Sequence, residues 1–191
     1  MGKFTVIPQS TFAEMQLDAG VLLKNFDPKT AAAPEDADII CATTGGINAV
    51  CEPTYVDMGE DVDNAPMNVK ELKQLSGWNC TMGFTSLGTS AESIRLSLGA
   101  ADIDSENKGK VTPRATLKQT DFSDLWWVGD RADGGAIAIQ LKNALSTGGF
   151  NLQTTKAGKG QNSVTLTGHV SLAAQTEMPM VFYSIEPAVT S

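Results

Sequence analysis

Apolar and polar residues alternate one for one along several stretches of the chain, a period that places successive side chains on opposite faces of a sheet. Trp78, Cys80, Met82 and Phe84 are apolar, with Asn79, Thr81 and Thr85 between or beside them. Ile137, Ile139 and Leu141 repeat the pattern, and Val164, Leu166, Val170 and Leu172 do so against Thr165, Thr167, His169 and Ser171. Met180 to Ile185 reads as a late strand. Each run predicts a strand with one buried and one wetted face. Clusters rich in Gly, Asp and Asn separate them, at Thr43–Gly46, Gly129–Gly135, Thr147–Gly149 and Lys156–Asn162. Such clusters predict turns, so antiparallel hairpins are the expected product.

One segment predicts a helix. Thr89 with Glu92 three residues later forms a capping-box pattern, Ala91, Ile94, Leu98 and Ala101 share a face, and Gly99 supplies a stop. Leu96 falls on the other side of that helix, where it is either an exposed leucine or a contact with a neighbouring subunit. Phe12 to Phe26 has mixed periodicity, and Pro28 to Asp38 is a connector of Ala, Pro and acidic residues. The expected fold is mainly β: an antiparallel β-sandwich or partly closed barrel with one short flanking helix over 89–98 and an extended N-terminal arm. Residues 1–37 form the arm and connector, 38–187 the body, and 188–191 a frayed C-terminus.

A chain of 191 residues suits one domain. At that length it buries roughly 70% of the surface its unfolded form exposes and needs no metal or disulfide staple. The formal net charge of −8 repels phosphate backbones, which argues against groove-reading nucleic-acid binding. Apolar runs fall far short of the roughly 20 residues that cross a bilayer, so a soluble protein is expected. No basic-then-apolar leader opens the sequence, and Val6 breaks the myristoylation pattern, so ordinary export is not expected.

Candidate chemistry is sparse. The three cysteines, Cys41, Cys51 and Cys80, show no C-x-x-C spacing and read as reduced structural thiols. A hairpin centred on Gly45-Gly46 would bring Cys41 near Cys51, so a bridge between those two is the alternative. His169 is the sole histidine and sits on a polar strand face with no partner nucleophile. Asp57, Glu60, Asp61 and Asp63 are dense in carboxylate but lack the EF-hand spacing. Ala157-Gly158-Lys159-Gly160 does not match a phosphate loop and precedes no helix. The expectation is therefore no enzyme, no cofactor and no metal.

Trp126 and Trp127 say more. Neighbours on a strand point to opposite faces, so one indole can enter the core and the other needs separate cover. A helix or arm of the same chain, a partner subunit, or a flat ligand such as a sugar would each supply it.

Taken in order along the chain, several segments resemble the major tail tube proteins of bacteriophages with long, non-contractile tails. They are Phe12-x-x-Met15-x-Leu17-x-Ala19-Gly20-Val21-Leu22-Leu23, Ile39 to Gly46, Tyr55-x-Asp57-x-Gly59-Glu60-Asp61-Val62-Asp63, the helix Ser90–Ala101, Leu125 to Asp130, and Leu166-Thr167-Gly168-His169. The resemblance spans nearly the whole chain. It implies a structural virion protein whose six-membered rings stack into a tube for genome delivery, made in the host bacterial cytoplasm and located in the virion tail. Implied partners are copies of itself, tape-measure, terminator and distal tail proteins, and DNA in transit, with no membrane. The sequence ends soon after Glu186, so a C-terminal decoration domain of the kind some relatives carry is not expected.

With that resemblance, Leu96, Trp126 and Trp127 become candidate subunit-interface residues. The connection after Asp57 is longer than the 12 to 15 residues usual for loops. It resembles the loop that touches the next ring, making Asp57, Glu60, Asp61, Asp63, Lys70 and Lys73 candidate stacking residues, with an independent solvated loop as the alternative. An acidic chain suits a non-adhesive bore, although screening over ~8 Å limits the reach of its field. The competing functions are a tube protein of a contractile injection or secretion machine, and a carbohydrate-binding β-sandwich using one of the paired tryptophans as a platform.

Overall fold

The computed structural model describes residue 4 and residues 6–187. The expected frayed terminus, 188–191, lies outside the described residues. In chain order the elements are α1 (Ser10–Ala13), β1 (Gln16–Leu23), β2 (Thr43–Asp57), β3 (Lys73–Ser86), α2 (Ala91–Leu98), β4 (Ala101–Ile103), β5 (Val111–Pro113), β6 (Ser123–Arg131), β7 (Ala136–Ser146), β8 (Leu152–Gln153), β9 (Gln161–Thr167) and β10 (Met180–Ile185).

The strands pair antiparallel in the order β1-β6-β7-β9-β3-β2, with β10 added to β7 and β8 to β9, while β4 and β5 form a separate ribbon. β7 belongs to two layers. Its first half pairs with β6 and β10, and its end, at Leu145 and Ser146, pairs with β9. Between the two halves Asn143 takes a left-handed backbone, φ 46°, braced by its amide donating to Asp124 Oδ1 at 2.9 Å. The result is a sandwich in which β1, β6, β7 and β10 make the first sheet and β2, β3, β8 and β9 the second.

The core between the sheets follows the alternation. Leu22, Leu125, Trp127, Ile139, Leu141 and Met180 from the first sheet meet Cys80, Met82, Phe84, Val164 and Leu166 from the second. A smaller cluster, Leu23, Trp126 and Ala138, lies on the opposite face of the first sheet, supported by Phe26, Ile39 and Tyr183. Burying a side chain of this size is worth about 1.5–3 kcal/mol, so the two clusters dominate the stability of the fold.

Four expectations need correction. First, the N-terminal region is not all arm: Gln16–Leu23 is an edge strand on β6, and Leu22 and Leu23 are 1% and 0% exposed. Gly20 makes this possible with φ 66°, because a Cβ there would sit on the Trp127 indole. Second, Gly45 and Gly46, at φ 77° and 73°, do not reverse the chain. They fill a bulge between Thr44 and Ile47 inside β2, and β2 runs on to Asp57. The hairpin partner of Cys51 is therefore Cys80, and all three cysteines are free.

Third, β9 ends at Thr167, so His169, Val170 and Leu172 leave the sheet; Val170 is 49% and Leu172 89% exposed. His169 instead meets the edge of Phe122 and bonds through Nδ1 to the Asn143 carbonyl at 3.1 Å. Fourth, the cap of α2 is Ser90 rather than Thr89, its Oγ accepting from the Ser93 amide at 3.2 Å. The buried face of α2 is Ser93 and Ser97, not Ile94 and Leu98, because its neighbours are polar: buried Asn162 donates to Ser97 Oγ at 2.7 Å, and Ser146 Oγ donates to the Ser97 carbonyl at 2.6 Å.

Candidate assembly surface

β2 and β3 are long strands, but β9 pairs with β3 only from Thr81 to Ser86. The remainder of the hairpin continues as a two-stranded ribbon, with its turn region over residues 58–72. A two-stranded ribbon has little of its own to bury. This one nevertheless carries Tyr55, Val56, Met58, Val62, Met67, Leu75 and Trp78, all between 39% and 92% exposed. Exposed apolar side chains gathered on one projecting ribbon point to an interaction surface. Trp78, expected in the buried row with Cys80, Met82 and Phe84, lies beyond the cover of the other sheet, and Met58, Val62 and Met67 were missed because the acidic pattern dominates the loop. Their signal was present: Met58, Val62 and Met67 lie off any strand alternation, in a segment too polar to form a core.

The charged candidates divide into two groups. Asp57 and Lys73 face each other across the last rung of the ladder, 3.8 Å apart, and Asp57 Oδ1 accepts from the Gly59 amide at 3.0 Å. Lys73 also donates to Asn68 Oδ1 at 2.9 Å. These two residues close the base of the turn region. Lys70 pairs with adjacent Glu71 at 3.4 Å in full solvent, where an ion pair is worth little. Glu60, Asp61 and Asp63 are exposed beside Met58 and Val62. The acidic and basic candidates thus already interact within one loop at its base, and the surface left open at the tip is acidic and apolar together.

Of the three candidate interface residues, the two tryptophans are covered within the chain. Trp127 enters the main core and donates from Nε1 to the Ala19 carbonyl at 3.0 Å. Trp126 points the other way, as adjacent strand positions must, and meets Phe26 edge-on and Tyr183 at a tilt, with centroids 5.7 and 5.5 Å apart. Both indoles are 7% exposed. Of the three kinds of cover the sequence allowed for the outward indole, the structure supplies the one from the same chain: it comes from residues 24–39, held by Lys24 N to Asp38 O at 2.8 Å and Ile40 N to Leu22 O at 3.0 Å. Leu96 is half-buried, packs against the main core and lines a cavity of about 320 Å³ with Ile40 and Leu125, rimmed by Lys24, Glu92, Arg95 and Asp124.

Among the described residues, no group of three His, Cys, Asp or Glu side chains is placed to hold a metal ion. Burial pushes the Cys80 thiol up to about 12, with the adjacent Cys51 adding to the effect, and burial raises Cys41 as well.

No family model matches the chain, and no curated protein matches it. Among solved structures it is similar to a chain of one described as "Virion of native gene transfer agent (GTA) particle", at 9% identity and a TM-score of 0.42, covering 86% of this chain and 95% of that chain.

Proposed function

We propose that this chain is a structural subunit of a tail tube of the long-tailed phage type, forming six-membered rings that stack into a conduit for DNA. It has no catalytic role and needs no cofactor. The observation that carries the reading is the β2–β3 hairpin: a ribbon beyond the sandwich with an apolar, acidic tip that the rest of the chain leaves open. Such a tip is costly on an isolated molecule and useful when a second copy covers it. The ordered resemblance along the sequence supports the same reading and supplies its proposed setting, the virion tail, with tape-measure, terminator and distal tail proteins as neighbours.

A tube subunit of a contractile machine shares these features and remains the alternative. A carbohydrate-binding module loses its platforms, since Trp126 and Trp127 are both buried. Negative-stain imaging of the purified protein and of a Val62→Asp, Met67→Asp variant tests the proposal. Rings or tubes from the first, and none from a folded second, are expected; unchanged assembly of the variant counts against a role for the tip.

A further inference from the structure

Cys51 and Cys80 stand directly opposite each other in the β2–β3 ladder, inside a stretch of register that runs unbroken from Ile47 opposite Phe84 to Thr54 opposite Gly77. Facing residues of an antiparallel pair put their side chains on the same side of the sheet. Here that side is the core: Cys80 is 0% exposed, and half-buried Cys51 packs against the same cluster. The two thiols already interact, Cys51 adding to the burial that raises the Cys80 thiol. Cys41 lies elsewhere, before the start of β2 at the end of the ladder where Thr43 faces Ser86.

The main-chain hydrogen bonds define which kind of facing pair this is. The Gly168 amide donates to the Cys80 carbonyl at 2.9 Å, next to the rung where Thr81 faces Thr167 of β9. The N–H and C=O of one strand residue lie on the same edge, so the main-chain groups of Cys80 turn toward β9 and away from β2. Toward β2, Cys80 therefore belongs to a non-hydrogen-bonded pair, the kind in which Cα atoms stand ~4.5 Å apart and side chains approach most closely. A disulfide spans Cα separations of ~4.4–6.8 Å, so thiols in this register can be joined without moving either strand.

The pair also occupies a mechanical boundary. Thr81 is the last residue of β3 that pairs with β9, and past it β3 pairs with β2 alone. A covalent bond between residues 51 and 80 would close the projecting ribbon and its turn into a loop, which restricts the unfolded chain and pins the ribbon at its root.

We propose that Cys51 and Cys80 form a redox modification site, oxidised to a cross-strand disulfide by a small-molecule disulfide. Cys51, the more accessible of the two, reacts first: its thiolate attacks one sulfur of the reagent, forming a mixed disulfide and releasing one small thiol. The Cys80 sulfur then attacks Cys51 Sγ, the bond from Cys51 to the reagent breaks, and the second small thiol leaves. Two protons and two electrons pass from the cysteine pair to the reagent, which ends as two thiols. The site lies within one chain and is independent of the tube reading.

The folded wild-type chain, reduced and then incubated with oxidised glutathione, tests the assignment. Remaining thiols are capped with iodoacetamide, and the product is read by intact mass, fragment-ion sequencing of linked peptides and thermal melting. The expected product lacks two hydrogens, carries its bond between Cys51 and Cys80, and melts about 5–10 °C higher, a shift that dithiothreitol reverses. Cys51→Ser should form no internal bond and show no such shift. A glutathione adduct that persists on Cys51 while Cys80 is capped, a bond that involves Cys41, or a chain left fully reduced would overturn the assignment. A Cys51–Cys80 bond with an unchanged melting temperature would overturn its role in pinning the ribbon. None of these outcomes bears on whether the chain forms tubes, and a failure to form tubes leaves the cysteine result standing.

Discussion

Phe26 meets Trp126 edge-on, ring centroids 5.7 Å apart, and in doing so closes the outer face of the first sheet from within the same chain. Phe26 sits on a loop with no periodic pattern, so this contact depends on the return of residues 24–39 to the sheet. Phe26→Ala should cost about 2 kcal/mol, less than a full core truncation because Phe26 is only half-buried. The emission of Trp126 should shift to longer wavelength in the native state. Urea denaturation followed by fluorescence reads both effects; an unshifted spectrum would mean that Phe26 does not shield the indole.

The polar packing of α2 gives a second expectation. Asn162 is 1% exposed, donates to Ser97 Oγ at 2.7 Å and accepts from the Asn151 amide at 3.0 Å. Asn162→Ala leaves buried Ser97 Oγ without its donor and the Asn151 amide without its acceptor, and should destabilise by about 2 kcal/mol, with Ser97→Ala milder. A double-mutant cycle on thermal unfolding should show strong coupling between the two, because they share one bond.

Cys80 provides a pH signature. Its thiol is pushed up to about 12 by burial and by Cys51 beside it, whereas an unfolded thiol ionises near 9.0. Above that lower value the unfolded state sheds a proton that the native state keeps, so stability falls as pH rises through the interval between the two. Removing the thiol should flatten part of that fall. Chemical denaturation of the wild-type chain and Cys80→Ala between pH 8 and pH 11 measures it, and parallel curves would contradict the assignment.

An acidic group runs the other way. Burial works against the Asp121 charge, but the Lys118 amide and the Arg114 guanidinium outweigh it and hold its carboxyl below the ordinary range. Its contribution is present above the normal carboxylate pKa and lost as pH falls through the depressed one. Asp121→Asn should cost about 1–2 kcal/mol at neutral pH, discounted because Asp102 of the same cluster is half in solvent. The deficit should shrink in acid, which thermal melts from pH 7 to pH 2.5 would detect.

At the hairpin tip, Asp61→Lys with Asp63→Lys should change monomer stability by less than about 0.5 kcal/mol, because both side chains are exposed. The same substitution should shorten or abolish tubes. Melting temperature and tube-length distribution from one preparation separate folding from assembly; tubes of normal length would remove these carboxylates from the stacking contact.

Strands with one wet face were legible from the residues alone, as Cys80, Met82 and Phe84 of β3 illustrate, and Met180–Ile185 is the expected late strand with its expected bounds. β1 was not, because Leu22 and Leu23 are buried on opposite sides of the first sheet, and a strand covered on both faces shows no alternation. The face of α2 was misread because Ser93 and Ser97 are polar and still buried; their partner is a buried asparagine contributed by β9, far away in sequence. The charged stacking candidates lie on the turn region 58–72 and on the two strand ends that close it. The apolar residues of that turn region were missed, since exposed side chains outside a packed sheet follow no intramolecular period.

Sedimentation velocity over a concentration series tests the central claim, assembly with copies of itself, most directly. The account predicts boundaries at multiples of the 20.1 kDa chain that grow with concentration toward ring and tube masses. A single boundary at the monomer mass up to the highest concentration reached, from a protein that melts cooperatively, would contradict it.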